Sequence, residues 1–343
     1  MKNHWILLLL VIGTGNSVGQ TFTKLKIDTL LIEKISVRAI AIENNSLFYA
    51  ANQNRIGRIN LNSKIKDDIF IKKDTLKLEF RSCFKTKDAF FALSIASPAL
   101  LYKISNDLKV VTLIYEENHK DVFYDSMNFF DSTHGIAIGD PIDGLLSIIT
   151  TKNGGETWQK QNSAETPKLQ EGEAFFAASN GNISIKGNKI WLVSGGKKSR
   201  VFYSSDRGKH WKIFETPIIQ GEVMTGIYSC DFYNSKIGFV AGGNYDKPNQ
   251  NFRNKAITFD GGKTWKLVGD NNGFGYSSCI QFVPNSRGKS LVSVGADGIF
   301  CSSDFGQNWK QLAPDKDFYT IRFINSTTAV AAGKNKMVQI TFQ

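Results

Sequence analysis

The chain has 343 residues, more than the roughly 250–300 residues that one compact hydrophobic core usually supports. It contains 25 Phe and only 7 Pro, and short strand-like runs recur without a long helical period, which indicates an all-β protein. The net charge is +11, but the lysines are scattered and no RNP motif, zinc finger or basic helix is visible. Composition and charge therefore argue against a nucleic-acid-binding protein.

The first 19 residues predict a signal peptide. Lys2 gives a positive start, residues 5–12 form an apolar run too short to anchor in a bilayer, and residues 17–19 offer small side chains for cleavage. No later apolar run is long enough for a transmembrane helix. We therefore expect an exported protein, periplasmic or extracellular, without a membrane span, in which residues 20–343 form one domain.

Short strand-like segments then follow one another to the end of the chain. Seven of them are rich in aromatic and small residues and are predicted to be the inner strands of successive sheets: residues 37–42, 80–84, 122–129, 174–178, 227–232, 276–282 and 318–324. Each is followed by a second strand that often ends in Gly. The last sheet lacks a strand, whereas residues 25–32 form an unassigned one, so we expect this early strand to pair with the last blade and close a ring.

Four octapeptides share the pattern Ser/Thr-x-Asp/Asn-x-Gly-x-x-Trp and begin at Thr151, Ser204, Thr258 and Ser302. Recurrence every 44 to 54 residues indicates repeated copies of one supersecondary unit. Each copy lies between strand-like runs and predicts a hairpin turn, in which the acid or amide accepts backbone hydrogen bonds and the Trp is an apolar anchor. A calcium loop is the alternative, but it needs six or more oxygen ligands and several acids. The predicted structural residues of these turns are Asn153, Trp158, Asp206, Trp211, Asp260, Trp265, Asp304 and Trp309.

The octapeptides resemble the Asp-box, or BNR, repeats of β-propellers. The segments GIAIGDPIDG, EGEAFFAAS and GGNYDKPN are similar to exported bacterial propellers related to the photosystem II assembly factor Ycf48, and Asp-boxes also occur in sialidases. The resemblance covers essentially the whole mature chain. It implies a WD40/YVTN-like repeat architecture, namely a seven-bladed β-propeller of four-stranded antiparallel blades, with each Asp-box between the third and fourth strands of a blade.

The four cysteines, Cys83, Cys230, Cys279 and Cys301, contain no C-x-x-C pair, so neither a zinc ribbon nor a thioredoxin-type site is indicated. The first three fall in predicted inner strands, where buried thiols are expected. Cys279 and Cys301 share a predicted blade, which leaves a disulfide between them open. No metal site and no cofactor motif are predicted.

Function is expected on the face opposite the Asp-box turns, because binding residues usually lie on loops held by a rigid scaffold. That face would carry the loops between second and third strands and the crossings between blades. The alternative is a water-filled channel lined by whatever polar residues fit. The candidate binding residues, at axial positions or in these loops, are Arg38, Arg81, Asp125, Glu171, Glu173, Tyr228, Tyr245, Arg253, Tyr276 and Tyr319.

The resemblance implies a monomeric, non-catalytic binding or assembly module that holds a protein or anionic glycan partner on this face. A sialidase-like glycoside hydrolase with an axial active site is the alternative, and no catalytic residue is assigned. In a hydrolase, three arginines would clamp a carboxylate while acids and a phenol perform the chemistry. Candidates for these roles are Arg38, Arg81 and Arg253, then Asp125, Glu171 and Glu173, then Tyr228, Tyr276 or Tyr319. The Arg-Ile-Pro segment expected near the start of a sialidase domain is absent.

Overall fold

The computed structural model describes residues 21–343, so the predicted signal peptide lies outside the described residues. They form one 3-10 helix, Ser163–Glu165, and no helix among them is long and apolar enough to cross a membrane. The strands in chain order are β1 (Leu25–Glu43), β2 (Ser46–Ala51), β3 (Arg55–Asn60), β4 (Lys66–Phe70), β5 (Phe80–Lys85), β6 (Ala89–Ser94), β7 (Ala99–Ser105), β8 (Val111–Glu117), β9 (Tyr124–Phe129), β10 (Gly135–Ile142), β11 (Leu145–Thr151), β12 (Gln159–Lys160), β13 (Glu173–Ala174), β14 (Ile183–Lys186), β15 (Lys189–Val193), β16 (Gly195–Gly196), β17 (Arg200–Ser204), β18 (Lys212–Glu215), β19 (Thr225–Phe232), β20 (Gly238–Asn244), β21 (Lys255–Thr258), β22 (Lys266–Leu267), β23 (Ser277–Phe282), β24 (Leu291–Gly295), β25 (Gly298–Ser302), β26 (Lys310–Ala313), β27 (Phe318–Phe323) and β28 (Thr328–Phe342).

These antiparallel strands form six sheets arranged in a ring. Four sheets have four strands each, in the orders β5-β6-β7-β8, β12-β11-β10-β9, β14-β15-β17-β18 and β23-β24-β25-β26. Two have six strands, in the orders β27-β28-β1-β2-β3-β4 and β13-β16-β19-β20-β21-β22. The all-β propeller is confirmed, but the prediction of seven four-stranded blades is wrong, because the described chain forms six.

The blade count differs because β1 is longer than the sequence pattern indicates. The sequence predicts separate strands at residues 25–32 and 37–42, whereas β1 runs through both. Leu25 pairs with Phe342 of β28, and Val37 pairs with Ala51 of β2, so one sheet continues from the last strands into the first. The predicted pairing of the N-terminal strand with the last strand is confirmed, and it joins two predicted blades into one sheet.

The inner strand predicted at residues 174–178 is also displaced. β13 ends at Ala174 and joins the sheet of β19 through β16, while β14 begins at Ile183 and opens the next four-stranded sheet. The intervening residues 175–182 are outside any strand. Residue type alone does not show which of the two segments is the inner strand, because both residues 174–178 and β14 contain small and apolar residues.

The octapeptides form tight turns with one repeated hydrogen-bond pattern. In the third copy, the Thr258 hydroxyl accepts from Gly262 N–H at 2.9 Å and donates to Asp260 Oδ1 at 2.8 Å. Asp260 Oδ1 also accepts from Thr264 N–H at 3.0 Å. Gly262 has φ +88°, which side chains rarely tolerate. The same bonds recur from Thr151, Ser204 and Ser302, so turn chemistry within eight residues ends one strand and starts the next.

The core lies between adjacent sheets, and the four octapeptide tryptophans contribute unequally to it. Trp158 and Trp309 are 5% and 9% exposed, whereas Trp211 and Trp265 are only partly buried. Trp158 packs edge-on against Phe91 and Phe129, which come from different sheets. All four cysteines are buried and free, so the possible bond between Cys279 and Cys301 is not formed.

Candidate binding site at the propeller axis

The inner strands begin at the face opposite the Asp-box turns. Near that end a β-bulge occurs in β1, β5, β9, β19, β23 and β27, of which β1 and β27 belong to the same sheet. In β1, for example, Val37 pairs with Ala51 and Ala39 with Ala50, so Arg38 is the extra residue. A bulge redirects a side chain and is frequent beside functional sites. The extra residues are Arg38, Arg81, Asp125, Tyr228, Ser278 and Tyr319. Five of these six are candidates from the sequence.

Glycines at the ends of the second strands make room for these bulges. Gly333 pairs with the residue before the Tyr319 bulge, and a Cβ there would lie 1.7 Å from the carbonyl oxygen of Asp317. The same position in β20 is Gly242, where a Cβ would lie 1.9 Å from the Gly226 oxygen. No side chain fits this close approach of two backbones. The recurrent strand-ending Gly of the sequence therefore marks the bulge.

Arginine and aromatic side chains meet at the axis. The Arg38 guanidinium lies 4.1 Å from the ring centroid of Tyr319, and Arg38 Nη1 donates to the Ala178 carbonyl at 3.1 Å. The Tyr276 ring is edge-on to Tyr228 at 4.7 Å and to Tyr245 at 5.3 Å. Tyr228 stacks on Phe176 at 4.0 Å. We call this group the axial cluster; its members are Arg38, Phe176, Tyr228, Tyr245, Tyr276 and Tyr319.

Arg38 is the charged member of the axial cluster, and it forms no ion pair with any residue between 21 and 343. Its Nε is buried without a hydrogen-bond partner. By contrast, Arg81 Nε is paired with Glu79 at 2.8 Å. A guanidinium stacked on an aromatic ring keeps its in-plane N–H groups available to an anion. Arg38 is thus a cation whose charge no carboxylate of the described chain neutralises by an ion pair.

Asp125 does not neutralise this cation. It is 0% exposed, and neither carboxyl oxygen has a hydrogen-bond partner in the described structure. Burial raises its pKa well above the ordinary range, the charge of Asp140 raises it further, and Arg81 opposes the shift. Burial also raises the pKa of Asp140 to about 6, although its Oδ1 accepts from Phe175 N–H at 2.8 Å. Burial therefore favours the protonated form of Asp125.

Besides Arg81 and Asp125, three more candidates lie outside the axial cluster. Glu173 is buried and binds Arg200 through both carboxylate oxygens, with Nε to Oε1 at 3.0 Å. Glu171 is 94% exposed, with Lys197 at 3.4 Å. Arg253 donates from Nε to the Pro217 carbonyl at 2.9 Å. Their contacts are to outer strands and loops, so the structure does not gather the three arginines and the acids proposed for hydrolysis.

The sequence did not single out three apolar residues around the cluster. Phe176 stacks within it, while Val223 and Phe252 are 72% and 44% exposed on loops of the same face. Tyr245, 48% exposed, is tied to the Val223 loop through its N–H bond to the Met224 carbonyl at 3.0 Å. In the sequence these three residues were marked only by their positions. Phe176 and Val223 lie in crossings between blades, and Phe252 lies in the loop between β20 and β21. Within residues 21–343, no group of three or more His, Cys, Asp or Glu side chains is arranged to hold a metal ion.

The long loop between β20 and β21 is held by hydrogen bonds from the side chain of Lys255, which is 1% exposed. Its ammonium donates to Asn251 Oδ1 at 2.6 Å, Asn254 Oδ1 at 2.8 Å and the Phe274 carbonyl at 3.1 Å. Burial lowers the pKa of Lys255 to about 7, against opposing charges on Asp270 and Asp297. The buried Lys255 amine, bonded to three neutral acceptors and to no carboxylate, therefore holds part of the candidate surface in place.

We expect Lys255 to make stability rise with pH between about 7 and 10.5. In that window the unfolded chain binds the proton that the folded chain has lost, so the free energy of unfolding increases with pH. Relative to Lys255→Met, the wild type should gain up to about 1.4 kcal/mol per pH unit above pH 7. Urea denaturation of both proteins from pH 6 to 10 measures this difference. A difference that does not vary with pH would show that Lys255 stays charged in the folded state.

The fold and turns define an all-β propeller with Asp-box turns. The model of the BNR/Asp-box repeat family matches residues 256–267, the third octapeptide and its flanking strands. Among solved structures, that of YCF48 bound to D1 peptide is similar, with a TM-score of 0.67 at 12% identity over 97% of this chain and 100% of that one. YCF48 from Cyanidioschyzon merolae gives a TM-score of 0.68 at 10% identity, over 93% of this chain and 99% of that one. U3-55K gives 0.63 at 12% identity, over 93% and 98%.

These matches confirm the Asp-box repeat and the likeness to Ycf48 propellers that the sequence indicates. At such identities they show the fold. A search of curated proteins returned no match.

Proposed function

We propose that this chain is an exported, non-catalytic binding propeller that holds a segment of a protein partner at the axial cluster, on the face opposite its Asp-box turns. The observation that carries the proposal is Arg38: its guanidinium lies against Tyr319, and it has no ion-pair partner among the described residues. An arginine held in this way recognises a carboxylate with directed hydrogen bonds. The partner segment would therefore contribute an acidic side chain or a chain terminus.

The surroundings of Arg38 support a peptide as the ligand. Tyr245, Val223 and Phe252 are large apolar side chains left exposed on the same face. Aromatic anchors beside a partly buried arginine are typical of the residues that carry most of the energy of a protein interface. A similar fold, YCF48, has been solved bound to a peptide of D1, which supports a protein partner in preference to an anionic glycan.

Contacts of the candidate acids favour binding over hydrolysis. A glycosidase needs two carboxylates on either side of the scissile bond. Glu173 is occupied by Arg200 and by the Ser194 hydroxyl at 2.6 Å, and Glu171 is exposed beside Lys197. Asp125 is fully buried, which raises its pKa well above the ordinary range. The contacts of these three candidate acids therefore do not support the pair that the hydrolase alternative requires.

The test compares Arg38→Ala with Lys77→Ala as baits for proteins of an envelope extract. Lys77 is an exposed cation in the crossing before β5 and is the matched control for charge. We expect one protein to be retained by the wild type and by Lys77→Ala, and its affinity for Arg38→Ala to fall at least tenfold, as for a central interface arginine. Equal retention by all three proteins would contradict a role for the axial cluster. Ligand that survives proteolysis of the extract but not glycosidase treatment would identify a glycan and overturn the protein partner.

A further inference from the structure

A cavity lies at the other end of the axis, where the inner strands end beside the Asp-box face. Its volume is about 360 Å³, and the final residues of successive inner strands line it. The polar lining residues used below are Asn128, Lys186, Asp231, Gln281 and Arg322. None of them belongs to the axial cluster.

The cavity is positively charged. Lys186 has no hydrogen bond or ion pair with any residue between 21 and 343, although it is only half exposed. The Arg322 guanidinium donates to neutral acceptors, including the Ser179 and Asn180 carbonyls at 2.9 and 3.1 Å, so its charge is not neutralised by a carboxylate. The lining cation Lys85 differs, because it is paired with Glu43 at 2.6 Å. Two cations without an ion-pair partner among the described residues therefore line one cavity.

Among its lining residues the cavity has one carboxyl group, that of Asp231, against the cations Lys85, Lys186 and Arg322. Asp231 is fully buried, which raises its pKa, while Lys186, a hydrogen bond from Phe282 N–H and Arg322 oppose the shift. The influence of both cations on this one carboxyl shows that Lys186 and Arg322 act on the same region. Burial raises the pKa of Cys83 to about 12 and that of Cys230 well above its ordinary value, so both are neutral thiols.

Two amide side chains supply neutral donors. The Oδ1 of Asn128 accepts from Phe129 N–H at 2.8 Å, and the Oε1 of Gln281 accepts from Phe323 N–H at 3.1 Å. These bonds fix each amide with its oxygen towards the backbone. Each NH2 group, in the part of the chain that the structure describes, has no acceptor. The cavity thus combines one free ammonium with unused N–H donors from different strands.

We infer that this cavity binds the phosphate group of a small ligand. Phosphate offers acceptor oxygens in several directions, and lysine binds it as a point charge. A carboxylate would be favoured by an open guanidinium fork, but the fork of Arg322 is already bound to carbonyls. The volume exceeds that of phosphate alone, so a phosphate monoester of metabolite size fits the space as well as the charge.

The test is isothermal titration calorimetry with inorganic phosphate, glucose 6-phosphate and glucose at constant ionic strength. Lys186→Met removes the free ammonium, and Lys189→Met, on the adjacent strand of the same hairpin and outside the cavity lining, is the control. We expect one saturable site for the phosphate-bearing probes, no binding of glucose, and at least tenfold weaker binding to Lys186→Met alone. Stronger binding of the ester identifies a phosphorylated ligand, and stronger binding of the inorganic ion identifies free phosphate; both support the phosphate site.

Absence of saturable binding for both phosphate probes would overturn the inference. So would equal weakening by Lys186→Met and Lys189→Met, because that result describes the general basic surface. Arg38→Ala should leave phosphate binding unchanged, since it lies in the axial cluster at the other end of the axis. The two proposals can therefore fail independently.

Discussion

Replacing Glu173 by alanine is expected to destabilise the protein by about 3–5 kcal/mol. The Glu173 side chain is 0% exposed and that of its partner Arg200 is 8% exposed, with 2.5 Å between Oε2 and Nη2. Removing the carboxylate leaves the Arg200 charge in a water-poor site and also removes the acceptor of the Ser194 hydroxyl. The uncompensated charge, more than the lost attraction, produces the large effect. Denaturant unfolding followed by Trp fluorescence measures it.

Glu171→Ala is the matched control, because Glu171 is two residues away and 94% exposed. Its unfolding midpoint should stay close to that of the wild type. The double variant Glu173→Met with Arg200→Met should be more stable than Glu173→Ala, because no charge remains buried. If Glu173→Ala unfolds with the midpoint of Glu171→Ala, the buried ion pair does not exist in solution.

The Asp-box turns could be predicted from the sequence because their chemistry is local. Thr258, Asp260 and Gly262 lie within five positions and bond one another, so the order of residue types determines the turn. Ring closure was also predictable, since a strand-like run at residues 25–32 had no partner until the last strand, where Leu25 pairs with Phe342. Both predictions depend on local pattern or on a strand that needs a partner.

The blade count and the bulges could not be predicted in the same way, because they are properties of pairing. Whether residues 25–43 form one strand or two depends on β28 and β2 being placed on either side of it. Arg38 is a bulge residue only because Ala50 and Ala51 are paired to residues on both sides of it. Composition gives the aromatic and small residues of an inner strand, but not its register.

The charged candidates show the same limit. Arg38 and Glu173 both have the sequence character of polar residues on the face opposite the Asp-boxes. In the structure, Arg38 has no ion-pair partner among the described residues and its Nε lacks a hydrogen bond, whereas the Glu173 carboxylate is bound by Arg200. The difference depends on Arg200, which is 27 positions from Glu173 and shares no local motif with it. Residue type can suggest a binding residue, but whether its charged group is free to bind a ligand depends on partners that are distant in sequence, such as Arg200 for Glu173.

Trp158→Ala should cost about 3–5 kcal/mol of unfolding free energy through the cavity that it leaves. The indole is 5% exposed and packs edge-on against Phe129 at 5.7 Å and Phe91 at 6.5 Å. Because Phe91 and Phe129 belong to adjacent sheets, the cavity would open at the contact between two blades. The indole N–H has no acceptor among the described residues, so the loss comes from packing alone. Denaturant unfolding measures the change.

Trp211→Ala is the comparison that separates packing from the shared motif. Trp211 occupies the same position in its octapeptide and its N–H also lacks an acceptor in the described chain, but its ring is only partly buried. If burial sets the cost, Trp211→Ala loses clearly less stability than Trp158→Ala. Equal losses would mean that the tryptophan acts through the turn itself, since the turn is what the two positions share.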